Sequence, residues 1–168
     1  MTEVDDDPSV HATTKTVGAR TLYFDIDVVL LDYEDRPKPA LIGGVFERAL
    51  QDAGFDRLVC VSGWAAMAAA PVLRIPKGAQ GWWLHRHLEQ LFPSAEWFLD
   101  RLILCTDPDR RGWSIDTSGD WYYVDDWADE YFVAAHGSQL YEAELGRRIC
   151  RADPHSDGSD VLAWVRRI

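Results

Sequence analysis

Short apolar runs alternate with segments of helical periodicity along most of the chain. Runs that favour β-strand occur at residues 21–24, 58–61, 102–105, 121–124 and 147–150. Segments with apolar residues at helical spacing, or rich in alanine, occur at residues 41–50, 64–70, 81–91 and 159–167. This alternation predicts an α/β fold of the Rossmann-like, three-layer kind, with a mostly parallel central sheet covered by helices on both faces.

Two predicted helices carry recognisable end signals. Gly54 follows the first helical segment and is typical of a helix C-terminus. Ser159 stands at the start of the last one, where a serine side chain commonly acts as N-cap. The predicted folded domain therefore extends to the closing helix.

Polar residues stand at the exits of three predicted strands. Asp25 and Asp27 follow the first, Ser62 and Gly63 the second, and the pair 125–126 closes the fourth. In a parallel sheet these exits lie at one edge, which is where ligands bind in such folds. Asp25 and Asp27 are two residues apart and point the same way, so their charges repel unless a cation lies between them.

This combination predicts a phosphoryl-transfer site. Mg²⁺ prefers oxygen ligands from one or two carboxylates, water and a substrate phosphate, and Asp125 and Asp126 bring further carboxylates to the edge. The Ser62 hydroxyl and the Gly63 amide lie where a helix begins, which is a natural place for an anion.

The three strand exits also resemble known motifs. Tyr23–Leu30, YFDIDVVL, resembles the first motif of the haloacid dehalogenase superfamily, a hydrophobic strand followed by Asp-x-Asp. Val59–Ser62 resembles the second motif, and Tyr122–Asp126 resembles the fourth. The three occur in the order of the family and span about 100 of the 168 residues.

The resemblance implies a role for each matching residue. Asp25 is implied as the nucleophile that forms an aspartyl-phosphate, and Asp27 as the acid and then the base. Ser62, with the following Gly63 amide, is implied to bind the phosphoryl oxygens. The ligands implied for Mg²⁺ are the Asp25 carboxylate, the Asp27 main-chain carbonyl, Asp125 and, as ligand or close neighbour, Asp126.

The chain departs from the family pattern at two positions. The third motif is usually a lysine, and none stands just upstream of Asp125; Arg111, about fourteen residues before it, supplies the same positive charge with a forked geometry. We therefore assign Arg111 to catalysis and phosphate binding. Val28 stands where the family mostly has glycine or threonine, and its β-branched side chain restricts the turn after Asp27.

Short connections between the motifs indicate a small member without a large cap. Within this superfamily the chain resembles the domain found in RNA-repair proteins, in which a Trp-rich segment follows the second motif. Trp64 directly after Ser62-Gly63, and the strand Trp121–Asp126, fit that pattern. An open site of this kind would admit large phosphates, and the sequence names no particular substrate.

Charge and length limit the other function classes. The 168 residues suit one domain, here residues 21–168, and the formal charge of −11 argues against tight nucleic-acid binding by this chain alone. Part of the charge lies in residues 1–20, with Glu3 and three aspartates at 5–7, predicted as a flexible acidic arm. No apolar stretch is long enough to span a membrane, and no export leader is visible.

Three cysteines and an aromatic cluster complete the candidate chemistry. Cys60, Cys105 and Cys150 each end an apolar run and are predicted as buried free thiols, which indicates the cytoplasm. His85 and His87 are spaced too closely to share a helix face, so a metal role is disfavoured. The tryptophans that could stack on a substrate ring, although packing is the simpler role for each, are Trp64, Trp82, Trp83 and Trp113.

The sequence thus predicts an Mg²⁺-dependent phosphomonoesterase that acts through an aspartyl-phosphate on a small molecule or a terminal phosphate. Two alternatives stay open. One is a weak or inactive relative of the same fold that binds a phosphate ligand or a protein, supported by Val28 and the missing lysine. The other is a nucleic-acid end phosphatase that works with a basic partner. The oligomeric state is left open.

Overall fold

The computed structural model describes residues 18–105 and 107–168, which contain one five-stranded sheet. All four strand pairings are parallel, and the order is β3-β2-β1-β4-β5, so β1 is central. The strands are β1 Arg20–Phe24, β2 Arg57–Cys60, β3 Leu102–Leu104, β4 Asp120–Asp125 and β5 Ile149–Arg151. The predicted parallel α/β sheet is confirmed.

The described residues form seven short helices, of which six lie between strands and the last follows β5. They are α1 Val45–Asp52, α2 Gly63–Ala68, α3 Gln80–Leu88, α4 Ala95–Arg101, α5 Ala128–His136, α6 Ser138–Glu144 and α7 Ser159–Val165. Four 3₁₀ segments lie at Pro39–Leu41, Pro71–Leu73, Lys77–Ala79 and Pro108–Ser114. No helix in the described part of the chain has the length and apolar character needed to cross a bilayer.

Strand side chains alternate between two cores, which makes the fold three-layered. Leu22 and Phe24 of β1 face a core that also receives Phe46 of α1, Leu84 of α3, Phe98 of α4 and Trp164 of α7. Tyr23 points to the other side of the sheet, where Val59 of β2 and Tyr123 of β4 pack with Phe132 of α5 and Tyr141 of α6. The period-two alternation of β-strands produces this division.

Several boundaries differ from those predicted. Helix α1 begins at Val45 rather than near Leu41, because residues 39–41 form a 3₁₀ turn first. Strand β5 lies two residues later than expected. Gly158, in the left-handed region at φ 95°, is the N-cap of α7, and Ser159 is its first helical residue, so the predicted serine cap is wrong. Most of the predicted acidic arm, residues 1–17, lies outside the described residues, and Arg20 belongs to β1.

Helices α4, α5 and α6 and the 3₁₀ segment at 108–114 were not predicted from the pattern. Of the cysteines, Cys60 and Cys150 are buried free thiols, as expected. Cys105 is only half-buried because it follows the edge strand β3, and its Sγ lies 3.1 Å from Ser114 Oγ. All described strands belong to one sheet, so the connections between them build no second sheet that could act as a cap.

Candidate active site

Asp25 and Asp125 lie side by side at the carboxyl edge of the sheet. The register pairs Phe24 with Val124, and the Asp25 N–H donates to the Val124 carbonyl at 3.0 Å, which continues the ladder by one residue. Both side chains are buried, with 4% of Asp25 and 0% of Asp125 exposed. Two like charges therefore meet out of water, and they need a positive partner.

Arg111 supplies that positive charge. One guanidinium nitrogen, Nη1, lies 2.9 Å from Asp25 Oδ2 and 3.0 Å from Asp125 Oδ2, so it bridges both carboxylates. Its Nε donates to the Pro108 carbonyl at 2.9 Å, and the guanidinium lies 4.2 Å from the centre of the Tyr131 ring. Arg111 is thus fixed on four sides, at the position which the sequence predicted.

Gly112 explains how the segment that carries Arg111 can lie so close to α5. A Cβ at position 112 would stand 1.9 Å from the Tyr131 carbonyl oxygen, a distance that no side chain can occupy. The Gly112 carbonyl also lies 2.8 Å from His136 Nε2, at the other end of α5. The absence of a side chain at 112 therefore allows Arg111 to reach the two aspartates.

Asp125 is held by two further donors. The Tyr123 hydroxyl donates to Oδ2 at 2.7 Å, and the Trp127 backbone N–H donates to Oδ1 at 2.8 Å. Tyr123 is two residues earlier on the same strand, so its side chain lies on the same face. Burial, and the neighbouring Asp125 carboxylate, raise the pKa of Tyr123 well above its ordinary value, so it acts as a donor at neutral pH.

Burial dominates the electrostatics of the site. It raises the pKa of Asp25 from 3.8 to about 6, assisted by the charge of Asp125 and opposed by Arg111. Burial also raises the pKa of Asp125, and it raises that of Asp126 with help from Asp25. For Arg111, burial works to lower the pKa, but the attraction of Asp25 and Asp125 outweighs it, so the arginine stays charged.

Asp27 lies beside this group and has its own donor. Trp64 Nε1 donates to Asp27 Oδ1 at 2.6 Å, and the Trp64 indole packs near Trp83, at 6.1 Å between ring centres, and His87, at 5.1 Å. The predicted Trp-rich cluster therefore borders the site through Trp64. A carboxylate oxygen that accepts from an indole N–H is fixed in direction.

Val28 adopts a backbone conformation that glycine takes readily and valine does not. Its φ is +52°, in the left-handed region. For a β-branched residue this is a genuine outlier, and it is maintained only because the surrounding structure fixes it. The sequence indicated a restricted turn here, and the structure forms the turn at the expense of local strain next to Asp27.

Ser62 lies deeper than the predicted phosphate-binding role requires, whereas Gly63 is half-buried. Ser62 is 0% exposed, its Oγ accepts from the Trp64 N–H at 3.3 Å as the N-cap of α2, and a hydrogen bond from its side chain lowers the pKa of Asp25. The residues that line the open cavity beside Asp25 include neither Ser62 nor Gly63. In this state Ser62 contacts the candidate nucleophile itself.

Three carboxylates come close enough to share a cation. Oxygens of Asp25, Asp125 and Asp126 all lie within 4.8 Å of one another. The Asp27 side chain is not in this group, and the ligand predicted at that residue is its main-chain carbonyl. They border an open cavity of about 250 Å³, whose lining residues are Asp25, Asp27, Val28, Arg111, Asp125, Asp126, Trp127 and Tyr131.

The remaining sequence candidates lie elsewhere or have structural contacts. His85 is buried with its Nε2 2.8 Å from the Phe92 carbonyl, as expected of a core histidine. Trp82 lines a separate hollow with Lys77. Trp113 is exposed beside Arg110, 5.7 Å from ring centre to guanidinium carbon.

Three aromatic residues of the site were not identified from sequence: Tyr123, Trp127 and Tyr131. Tyr123 was identifiable in principle because a residue two before Asp125 on a strand shares its face. Tyr131 and Trp127 depend on α5, which the pattern of apolar residues did not reveal. No family model, curated protein or solved structure matches the chain, so the site is interpreted from its own geometry.

Proposed function

We propose that this protein is an Mg²⁺-dependent phosphomonoesterase that forms an aspartyl-phosphate on Asp25. The observation that carries the proposal is the bridge which Arg111 makes between Asp25 and Asp125, at 2.9 and 3.0 Å, with Asp27 alongside. Covalent phosphoryl transfer needs a carboxylate nucleophile at an open cavity, a positive group beside it and a second carboxyl group that can exchange a proton. Asp25, Arg111 and Asp27 are proposed for these three roles.

The donor set fits Mg²⁺. Asp25, Asp125 and Asp126 offer hard oxygen ligands within 4.8 Å of one another, and burial makes their combined negative charge unfavourable without a second cation. These three carboxylates, with the Asp27 main-chain carbonyl, would hold the ion. When bound, Mg²⁺ neutralises charge on the phosphoryl oxygens and on the carboxylates around them.

Asp25 performs the first half of the reaction. Its Oδ1 accepts from the Ile26 N–H at 2.8 Å, which fixes the direction of the carboxylate. A carboxylate oxygen of Asp25 bonds to phosphorus while the ester P–O bond breaks, and Asp27 gives its proton to the departing oxygen. Arg111 reduces the repulsion between the Asp25 carboxylate and the approaching dianion.

Asp27 performs the second half. Now ionised, it removes a proton from a water molecule that attacks phosphorus, the bond from phosphorus to Asp25 breaks, and inorganic phosphate leaves. The Trp64 N–H donates to Asp27 Oδ1 at 2.6 Å and fixes the direction of this carboxyl group. Ser62 and the Gly63 amide are proposed to bind phosphoryl oxygens once substrate displaces the present contacts of Asp25.

The test is hydrolysis of 4-nitrophenyl phosphate with Mg²⁺ or with EDTA, by wild type, Asp25→Asn and Asp100→Asn. Asp100 is an exposed aspartate of α4 and serves as the matched control. We expect turnover that requires Mg²⁺, is lost in Asp25→Asn and is retained in Asp100→Asn. Wild-type protein that is denatured during turnover should have an intact mass larger by one phosphoryl group. Turnover that survives in Asp25→Asn excludes the mechanism.

Two further measurements, ligand binding and hydrolysis of phosphorylated oligonucleotide ends, separate the alternatives. Mg²⁺-dependent binding of phosphate esters without turnover of any of them identifies a binding module that has the fold alone. Turnover of a phosphorylated oligonucleotide end only when a basic partner is added identifies an end-processing enzyme, since the charge of −11 disfavours unaided binding of nucleic acid. We further propose the cytoplasm as the place of action, where free thiols stay reduced.

A further inference from the structure

Trp127 lies at the mouth of the candidate active site with half of its side chain in water. It is 53% exposed, and it lines the same cavity as Asp25 and Arg111. An indole offers a ligand a large apolar face for stacking. Its position beside the reacting group indicates that a ligand, rather than the protein, covers that face.

The other strongly exposed aromatic side chains all have a neighbour within the protein. Tyr33 lies against His155 at 5.5 Å between ring centres, Trp82 against His85 at 6.2 Å, and Trp113 near Arg110. Among residues 18–105 and 107–168, the Trp127 indole stacks on no other ring and no cation. It is therefore the strongly exposed ring in this part of the chain without such a neighbour.

The fold holds Trp127 at this place. Its N–H donates to Asp125 Oδ1 at 2.8 Å, so the residue is tied to the acidic group itself. Its carbonyl accepts from the Tyr131 N–H at 3.2 Å in the first turn of α5. Residues four apart on a helix lie on one side, so Trp127 and Tyr131 both border the cavity, Tyr131 over Arg111 and Trp127 next to open solvent.

Charge narrows the kind of leaving group that fits. Four carboxylates, those of Asp25, Asp27, Asp125 and Asp126, border the cavity against one arginine. A leaving group with further negative charge is repelled there, whereas a neutral ring gains contact with the indole face. Resting on the proposed function, we propose that Trp127 stacks on an aromatic ring of the leaving group and makes the enzyme selective for phosphomonoesters of aromatic compounds.

The test compares three substrates in wild type, Trp127→Leu and the control Trp82→Leu, which removes an equally exposed indole away from the site. The substrates are phenyl phosphate, adenosine 5′-monophosphate and glycerol phosphate, the last with no ring. We expect Trp127→Leu to lower kcat/KM about 10-fold or more for a ring-bearing substrate, mainly through KM. For glycerol phosphate it should change by less than about twofold, because no stacked ring is lost.

The two ring-bearing substrates distinguish where the ring sits. A loss confined to phenyl phosphate places the ring directly on the ester oxygen, and a loss confined to the nucleotide places it beyond a sugar. Either supports the inference. An equal loss for glycerol phosphate, no loss for any substrate, or the same loss in Trp82→Leu overturns it.

A binding measurement separates this inference from the proposed function. Calorimetric titration with phenyl phosphate and with methyl phosphate, in Mg²⁺, uses the same three proteins. If wild type hydrolyses no ester, the proposed function fails, and the stacking site is judged by this titration alone. Tighter binding of phenyl phosphate that is lost in Trp127→Leu and kept in Trp82→Leu supports it. Equal or undetectable binding of the two esters overturns it.

Discussion

The ionised Asp25 carboxylate destabilises the folded protein because it is buried, so its replacement by asparagine should stabilise the metal-free protein. Burial raises the pKa of Asp25 from 3.8 to about 6, and the cost of ionising it is borne only by the folded state. Asparagine keeps a side-chain oxygen for the Ile26 N–H, which bonds Oδ1 at 2.8 Å in the wild type. It leaves Arg111 paired with Asp125 at 3.0 Å.

The size and sign follow from linkage. The rise in the pKa of Asp25 from 3.8 to about 6 lowers the free energy of unfolding by about 3 kcal/mol. This penalty is fully present above the folded pKa of about 6. The penalty shrinks as pH falls from about 6 towards the unfolded value of 3.8, because Asp25 is then protonated in the folded state, and it vanishes below 3.8, where both states are protonated. Asp25→Asn should therefore raise the melting temperature by about 6–10 °C at pH 7.5 and by about 2 °C or less at pH 4.

The assay is thermal unfolding in EDTA at both pH values, followed by circular dichroism, with Asp100→Asn as the control for loss of a surface charge. Addition of Mg²⁺ should raise the melting temperature of the wild type and bring it closer to that of Asp25→Asn, because Asp25→Asn lacks one of the three carboxylates. A variant that is less stable than wild type at pH 7.5, or equally stabilised at pH 4 and pH 7.5, would refute the reasoning.

Three more substitutions test the surroundings of Asp25. Arg111→Met leaves two buried carboxylates without their partner, so urea unfolding should show a loss of about 3 kcal/mol at pH 7.5 and a smaller loss at pH 5. Val28→Gly relieves the strain at φ +52° and should raise the free energy of unfolding by about 0.5–1 kcal/mol, with the entropy cost of glycine included. The control Asp35→Gly, at φ +58° in an exposed turn, should raise it by less. Gly112→Ala places a Cβ 1.9 Å from the Tyr131 carbonyl oxygen and should lower the free energy of unfolding by about 3 kcal/mol. It should also displace Arg111, which is measured as lost turnover of 4-nitrophenyl phosphate. Unchanged stability would contradict the packing argument.

The sheet and its acidic carboxyl edge could be predicted because both depend on the order of residues within short segments of the sequence. Buried parallel strands are short apolar runs, and the residues directly after them must lie at the carboxyl edge. Asp25, Asp125 and Asp126 were therefore brought together correctly by counting strands alone. Arg111 required one more premise, the resemblance to a family whose third motif is a basic residue beside the nucleophile.

The parts that were missed depend on tertiary contact. Helix α5 has nine residues, of which Ala128 and Phe132 are its buried apolar positions, too few for a clear helical period. The 3₁₀ segment at 108–114 is polar, and contact between Gly112 and Tyr131 fixes its place. The Trp64–Asp27 hydrogen bond joins residues 37 apart in sequence and has no local signal.

The central place of β1 has a consequence for the growing chain. Strand β2 ends at Cys60 and β4 begins at Asp120, so about 60 residues must be synthesised after β1 has paired on one side before it can pair on the other. At ribosomal speed this takes about 3–12 s, during which the other backbone edge of β1 is open to any extended segment nearby. A nascent polypeptide stalled before residue 111 has Asp25 but neither Arg111 nor Asp125, so the acidic centre is completed only when the sheet closes around its middle strand.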